Sequence, residues 1–138
     1  MKNVIDEFGE NAGKVWQALN TQGPLPHTRL IRTAKLKNDD LYTAIGWLAR
    51  ENKINMNSST NNGAMYAIGE TNLTGKIGSD AGKVWHALNK LGESDAQSIA
   101  RYARLDNGAV FSALGWLARE NKVHAHVDRD QQIKFSLK

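Results

Sequence analysis

No cysteine occurs anywhere in the chain. That absence removes disulfide scaffolds, thiolate zinc sites, iron–sulfur clusters and cysteine nucleophiles together, and it fits a reducing compartment. Long apolar runs are missing too. Nothing approaches the roughly 18 consecutive apolar residues of a membrane-crossing helix, and Met1-Lys2-Asn3-Val4-Ile5-Asp6-Glu7-Phe8 lacks the apolar centre of a secretory signal. A cytoplasmic location with no membrane partner is therefore expected. Dense basic blocks are also lacking, the longest being the interrupted Lys35-Leu36-Lys37. A formal charge of +4 and a pI near 9.4 bias the chain only mildly toward polyanionic partners. What is present, 41% apolar and 23% charged residues over 138 positions, suffices for a folded core and fits one ordinary domain or two very small ones.

Laying the sequence on itself favours two. With a shift of 69 residues, positions 9–54 align with 78–123 without a gap and 23 of 46 pairs are identical, which is an internal duplication. Ala12-Gly13-Lys14-Val15-Trp16 returns as Ala81-Gly82-Lys83-Val84-Trp85, and Gly46-Trp47-Leu48-Ala49-Arg50-Glu51-Asn52-Lys53 returns as Gly115-Trp116-Leu117-Ala118-Arg119-Glu120-Asn121-Lys122. Further on, identity fades while Ala64, Tyr66 and Ile68 still match Ile133, Phe135 and Leu137 in apolar pattern. The polar, glycine-bounded segment from Gly69 to Gly75 reads as a linker, so the expected units are 1–70 and 71–138. Units this small bury only about 60% of their unfolded surface, which gives them reason to pack together.

Within a unit the periods are readable. Ala12, Val15, Trp16 and Leu19 share one helix face, with Asn11, or Asp80 in the second copy, as the expected N-cap. A second helix follows the break at Gly23 or Gly92, opened by Pro26 in the first copy and by a Ser94-Asp95-Ala96-Gln97 capping box in the second. Asn38 and Asn107 are placed to cap a third helix, whose buried stripe is Leu41, Ala44, Ile45 and Leu48, or Val110, Ala113, Leu114 and Leu117. The period then changes from 3.6 to 2 at Ile54 and Met56, or Val123, Ala125 and Val127, giving a two-stranded ribbon. Three helices and a hairpin spell a winged helix-turn-helix. The expected fold class is mostly α with small β-ribbons, as two tandem winged helix-turn-helix domains.

The Ala-Gly-x-Val-Trp segment and the Gly-Trp-Leu-Ala-Arg-Glu end of the third helix, each present twice, resemble a family of small prokaryotic winged helix-turn-helix domains of uncharacterised function. The resemblance covers nearly the whole chain. Its members look like single domains of half this length, so the tandem departs from the simplest pattern. The resemblance implies the fold and a nucleic-acid-binding expectation shared with winged helices generally, including those that grip RNA on a selenocysteine-specific elongation factor.

On a helical wheel Thr43, Gly46 and Arg50 lie opposite the buried stripe of the third helix, matched by Ser112, Gly115 and Arg119. This is the expected recognition face, where small residues permit close approach and arginine reaches a phosphate or a guanine edge; the alternatives are a solvated face on which Arg50 pairs with an acid nearby, and a protein contact. Its first turn carries Asp39 and Asp40, which repel phosphates and stabilise the helix N-terminus. Cations concentrate on helix two and the following turn, at Arg29, Arg32, Lys35 and Lys37 and at Arg101 and Arg104, placed for phosphate clamping. Lys53 and Lys122 sit at the wing bases. The first wing loop is rich in asparagine, serine and threonine, and the second holds Arg129 between aspartates, so neither wing is basic. Trp16 and Trp85 read as core; Trp47 and Trp116, at the edge of helix three, read as core cover, as contacts between the units or as partner anchors.

No catalytic residue, cofactor or metal site is expected. The segment Gly9-Glu10-Asn11-Ala12-Gly13-Lys14-Val15 is one residue short of a phosphate loop and lacks the hydroxyl after lysine; close packing at Gly13 and a tight entry at Gly9 explain it better. His124 and His126 share a strand face, but the first copy has asparagines there. The leading expectation is a non-enzymatic duplex-DNA binder, a transcriptional regulator or chromosome-associated factor, whose two third helices read half-sites about 34 Å apart. A protein-interaction module is the alternative, and structured RNA a third target.

Overall fold

The computed structural model describes residues 3–57 and 64–138. The N-terminal unit comprises α1 (Val4–Gln22), β1 (Leu25–Pro26), α2 (His27–Ala34), α3 (Asn38–Arg50), β2 (Ile54–Asn57) and β3 (Met65–Ile68). The C-terminal unit repeats the series as α4 (Thr74–Leu91), β4 (Ser94–Asp95), α5 (Ala96–Ala103), α6 (Asn107–Arg119), β5 (Val123–Val127) and β6 (Ile133–Leu137). The chain is thus two tandem winged helix-turn-helix domains, mostly helical, each with a small antiparallel sheet. The expected ribbon gains a third strand, in the orders β1-β3-β2 and β4-β6-β5. That strand has only two residues, Leu25 opposite Tyr66 or Ser94 opposite Phe135, too few to show an alternation. Most of the first wing loop, 58–63, lies outside the described residues.

Helix one starts earlier than expected. Asn3, not Asn11, caps α1, its side chain accepting from the Asp6 N–H at 2.9 Å, while Asn11 and Asp80 lie within their helices. The reason is apolar. Val4 and Phe8 extend the buried stripe upstream and enter the core of the C-terminal unit, where Phe8 lies 6.3 Å from Phe135 between ring centroids. Leu73 and Ile77, the residues 69 positions on, enter the N-terminal core in return. Each first helix therefore serves both cores. The linker is tied down too: Asn72 runs beside β2, its Oδ1 accepting from the Met56 N–H at 2.9 Å and its Nδ2 donating to the Met56 carbonyl at 2.7 Å.

Four smaller expectations are corrected. In the second copy, where the Ser94 hydroxyl donates to the Gly92 carbonyl at 2.9 Å, Asp95, not Ser94, caps α5, accepting from the Ser98 N–H at 2.8 Å. That hydrogen bond holds the Asp95 carboxyl below its ordinary range. Pro26 is the residue before the helix rather than its first. At the third helices, Asp106 caps α6 by accepting from the Ala109 N–H at 2.8 Å, while Asn38 instead pairs with His27 at 2.7 Å. Gly9 is a packing site rather than the expected tight entry, and Gly13 is not the expected packing site. Gly9 lies inside α1 with a Cβ position 3.1 Å from the Trp47 ring, and at Gly13 and Gly82 a Cβ meets nothing within 4 Å. A mid-helix glycine in open space only weakens its helix. Gly13→Ala and Gly82→Ala are each expected to raise stability by about 0.8 to 1 kcal/mol, read as a higher urea midpoint with unchanged slope.

Candidate nucleic-acid interface

The third helices lie against each other in the most extensive helix–helix contact of the molecule, α3 on α6. They cross at their glycines. A Cβ on Gly46 would stand 1.8 Å from the Ser112 carbonyl oxygen, and one on Gly115 would stand 1.9 Å from that of Thr43. Thr43 is only 1% exposed and Ser112 8%; the Thr43 hydroxyl donates back to the Asp40 carbonyl at 2.9 Å. The expected recognition face is therefore closed. Thr43 and Ser112 are corrected from base contacts to parts of the inter-unit seam, because the small residues that would admit a groove admit the sister helix instead.

The C-terminal ends of both helices meet in reciprocal ion pairs. The Arg50 Nε lies 3.0 Å from Glu120 and the Arg119 Nε lies 2.9 Å from Glu51. Each guanidinium also lies over the opposite unit's tryptophan, Arg50 at 5.7 Å from Trp116 and Arg119 at 5.9 Å from Trp47. Lys53 and Lys122 reach the same two glutamates at 3.5 and 3.4 Å while keeping exposed heads. Both Trp47 and Trp116 pack against both cores. Arg50 and Arg119, expected to reach a phosphate or a guanine edge, are thus engaged by glutamates while their side chains stay 46% exposed. Trp85 is corrected as well, since it is 42% exposed where a core residue was expected.

The cations of helix two stand differently. Arg29, Arg32, Lys35 and Lys37, with Arg101 and Arg104, are exposed, and among the described residues none has an ion pair closer than 4 Å. Lys35 and Arg104 occupy the helix C-cap in the left-handed conformation, φ 58 and 59, which glycine or asparagine adopts at lower cost. The N-terminal end of α3 is unsuited to phosphate. Asp39, Asp40 and Glu7 border one cleft between the units, and burial there raises the Asp40 carboxyl above its ordinary range, Asp39 and Glu7 adding to the effect and Lys37 opposing it. In the N-terminal unit burial also pushes the Tyr66 hydroxyl up to about 12. The wing of the C-terminal unit engages its own charges: Lys134 lies 3.8 Å from Asp95 and 3.9 Å from Asp128, and His126 lies 3.7 Å from Glu93.

Residues 1–67 and 72–137 each match the family described as Winged helix-turn-helix domain (DUF2582). The chain belongs to this family. It is similar to the uncharacterized protein MJ1608 of Methanocaldococcus jannaschii, 42% identical over 69 residues that make up 48% of this chain and 96% of that one. The matched stretch is about half of this chain and nearly all of that relative, and this chain carries two DUF2582 domains. Among the described residues, no helix is long and apolar enough to cross a membrane. The acid that Arg50 could find nearby comes from the other unit of this DUF2582 pair: Glu51 and Glu120 were not singled out in the sequence, although each directly follows its own unit's arginine in the repeated motif.

Proposed function

We propose that the protein is a non-enzymatic, cytoplasmic nucleic-acid-binding protein that grips duplex DNA by its phosphates through α2 and α5, with little reading of bases. The observation that carries this is the recurrence of exposed cations at equivalent positions of both units, Arg32 with Arg101 and Lys35 with Arg104. Two of them hold left-handed caps. In helix-turn-helix proteins this element crosses the nucleic-acid backbone. The family supports nucleic-acid binding as a property of the fold, and the enclosed third helices favour a chromosome-associated factor over a regulator that recognises an operator. The protein-module alternative loses its anchors, because Trp47 and Trp116 pack the units together.

Affinity set by phosphates falls with salt in proportion to the phosphates neutralised. Arg32→Ala combined with Arg101→Ala is expected to flatten the slope of log K against log salt by about 2, about equally for unrelated sequences. Fluorescence anisotropy with a labelled duplex reads both quantities. An unchanged slope would remove α2 and α5 from the interface.

A further inference from the structure

A cleft of about 360 Å³ opens between α4 and the C-terminal end of α6, lined by Gly78, Gly82, Trp85, Trp116, Glu120 and Lys122. Ala81 and Leu117 complete the lining. All eight of these positions are identical in the N-terminal unit, where Gly9, Ala12, Gly13, Trp16, Trp47, Leu48, Glu51 and Lys53 stand, although only 23 of the 46 aligned pairs are. Packing accounts for part of this: a Cβ on Gly78 would lie 3.6 Å from the Trp116 ring, and Glu120 holds Arg50. It does not account for Gly82, beside which there is open space, or for Trp85, which leaves 42% of its surface in water.

The surroundings indicate what the cleft takes. From Gly82 to Leu91, α4 carries Lys83 and Lys90 and no acid. On α5, Tyr102 is 44% exposed between Arg101 and Arg104, and its ring lies 6.3 Å from that of His86. The cleft's own carboxylate, Glu120, is engaged by Arg50 at 3.0 Å and by Lys122 at 3.4 Å. Exposed aromatic faces interleaved with exposed cations are the features by which proteins hold single strands, the bases stacking on the rings and the cations following the backbone. An exposed glycine beside an indole lets a flat ring approach closely, whereas a paired base inside a duplex has no free face to offer. An apolar peptide would leave these cations unmatched.

We infer that the outer face of α4 and α5 binds single-stranded nucleic acid, with an unpaired base in the Gly82–Trp85 cleft, a second stacked on Tyr102, and phosphates on Lys83, Lys90 and Arg101. This rests on the nucleic-acid reading above and adds a second mode confined to the C-terminal unit, since Gln17 and Thr33 replace His86 and Tyr102 in the other.

The test uses the full chain with an oligothymidylate of about 20 nucleotides and with a mixed-sequence duplex at equal salt, binding being followed by anisotropy and by quenching of tryptophan emission. Trp85→Leu is expected to weaken the single-strand complex roughly 5- to 100-fold and to leave duplex affinity within about twofold. Gly82→Leu, whose Cβ meets nothing in the protein, should do the same with no loss of thermal stability. If the duplex binds but the single strand does not, or if both variants bind the single strand like the parent protein, the proposal is overturned and a protein partner becomes the occupant to seek. If neither nucleic acid binds at low salt, the phosphate-clamp reading falls with it.

Discussion

Gly46→Ala is expected to destabilise the protein by about 3 kcal/mol or more, and the double change Gly46→Ala, Gly115→Ala to break the contact between the units. Overpacking a core ordinarily costs about 1 to 3 kcal/mol, because side chains rotate and neighbours give way. Here the obstacle is backbone. The added carbon would lie 1.8 Å from the Ser112 carbonyl oxygen in one direction and 1.9 Å from the Thr43 carbonyl oxygen in the other, so no rotamer change relieves the clash and the helices must separate. Separation also strains the Arg50–Glu120 and Arg119–Glu51 pairs and lifts Trp47 and Trp116 off the facing units. Urea unfolding followed by tryptophan emission measures the loss, and a red shift before unfolding would report the uncovered indoles. Gly13→Ala is the control, since a Cβ there touches nothing. A cost of less than about 1 kcal/mol for Gly46→Ala would mean that the helices do not cross at this point in solution.

That same seam explains why the fold was legible in the sequence and the site was not. The repeated motifs and the switch from 3.6 to 2 in apolar spacing locate the helices and the hairpin, because those periods follow from backbone geometry. The outward stripe of α3 carried no comparable information. Thr43, Gly46, Ser112 and Gly115 are the small or hydroxyl residues that a solvated recognition face and a close helix crossing both favour, and a helical wheel cannot separate the two. The early start of helix one is a different matter. Val4 and Phe8 continue the spacing of Ala12 and Leu19 upstream, a signal that was readable but ran past the identical segment, and whose receiving core lies in the other unit. Trp85 misled for a related reason: it borders the apolar stripe yet opens into a cleft, and a stripe's edge is where periodicity decides least. The cations on α2 and α5 needed no tertiary information, because their exposure follows from lying opposite Leu30 and Ile99.

Produced separately, the segments 1–70 and 71–138 are each expected to be largely unfolded at micromolar concentration, and equimolar mixing is expected to restore the helical signal. Alone, the N-terminal segment lacks Leu73 and Ile77 in its own core, and the C-terminal segment lacks Val4 and Phe8. Phe8 is almost fully buried against the C-terminal core. Losing such a ring from a core costs about 3 to 5 kcal/mol, comparable to the whole stability a domain of this size commands. Each segment would also expose its half of the α3–α6 crossing. Circular dichroism and sedimentation velocity follow the reassembly, and a monomeric half that unfolds cooperatively at the temperature of the intact chain would mean that the exchanged residues contribute little. Because the contacts at the centre of the seam, the glycine crossing and the arginine–glutamate pairs, have their counterparts 69 residues away, a raised concentration of one segment should let two copies of it pair, Arg50 of each facing Glu51 of the other. Fusing the two units holds them at an effective concentration in the millimolar range, so the intact chain keeps the arrangement at any dilution while a single unit must find its partner.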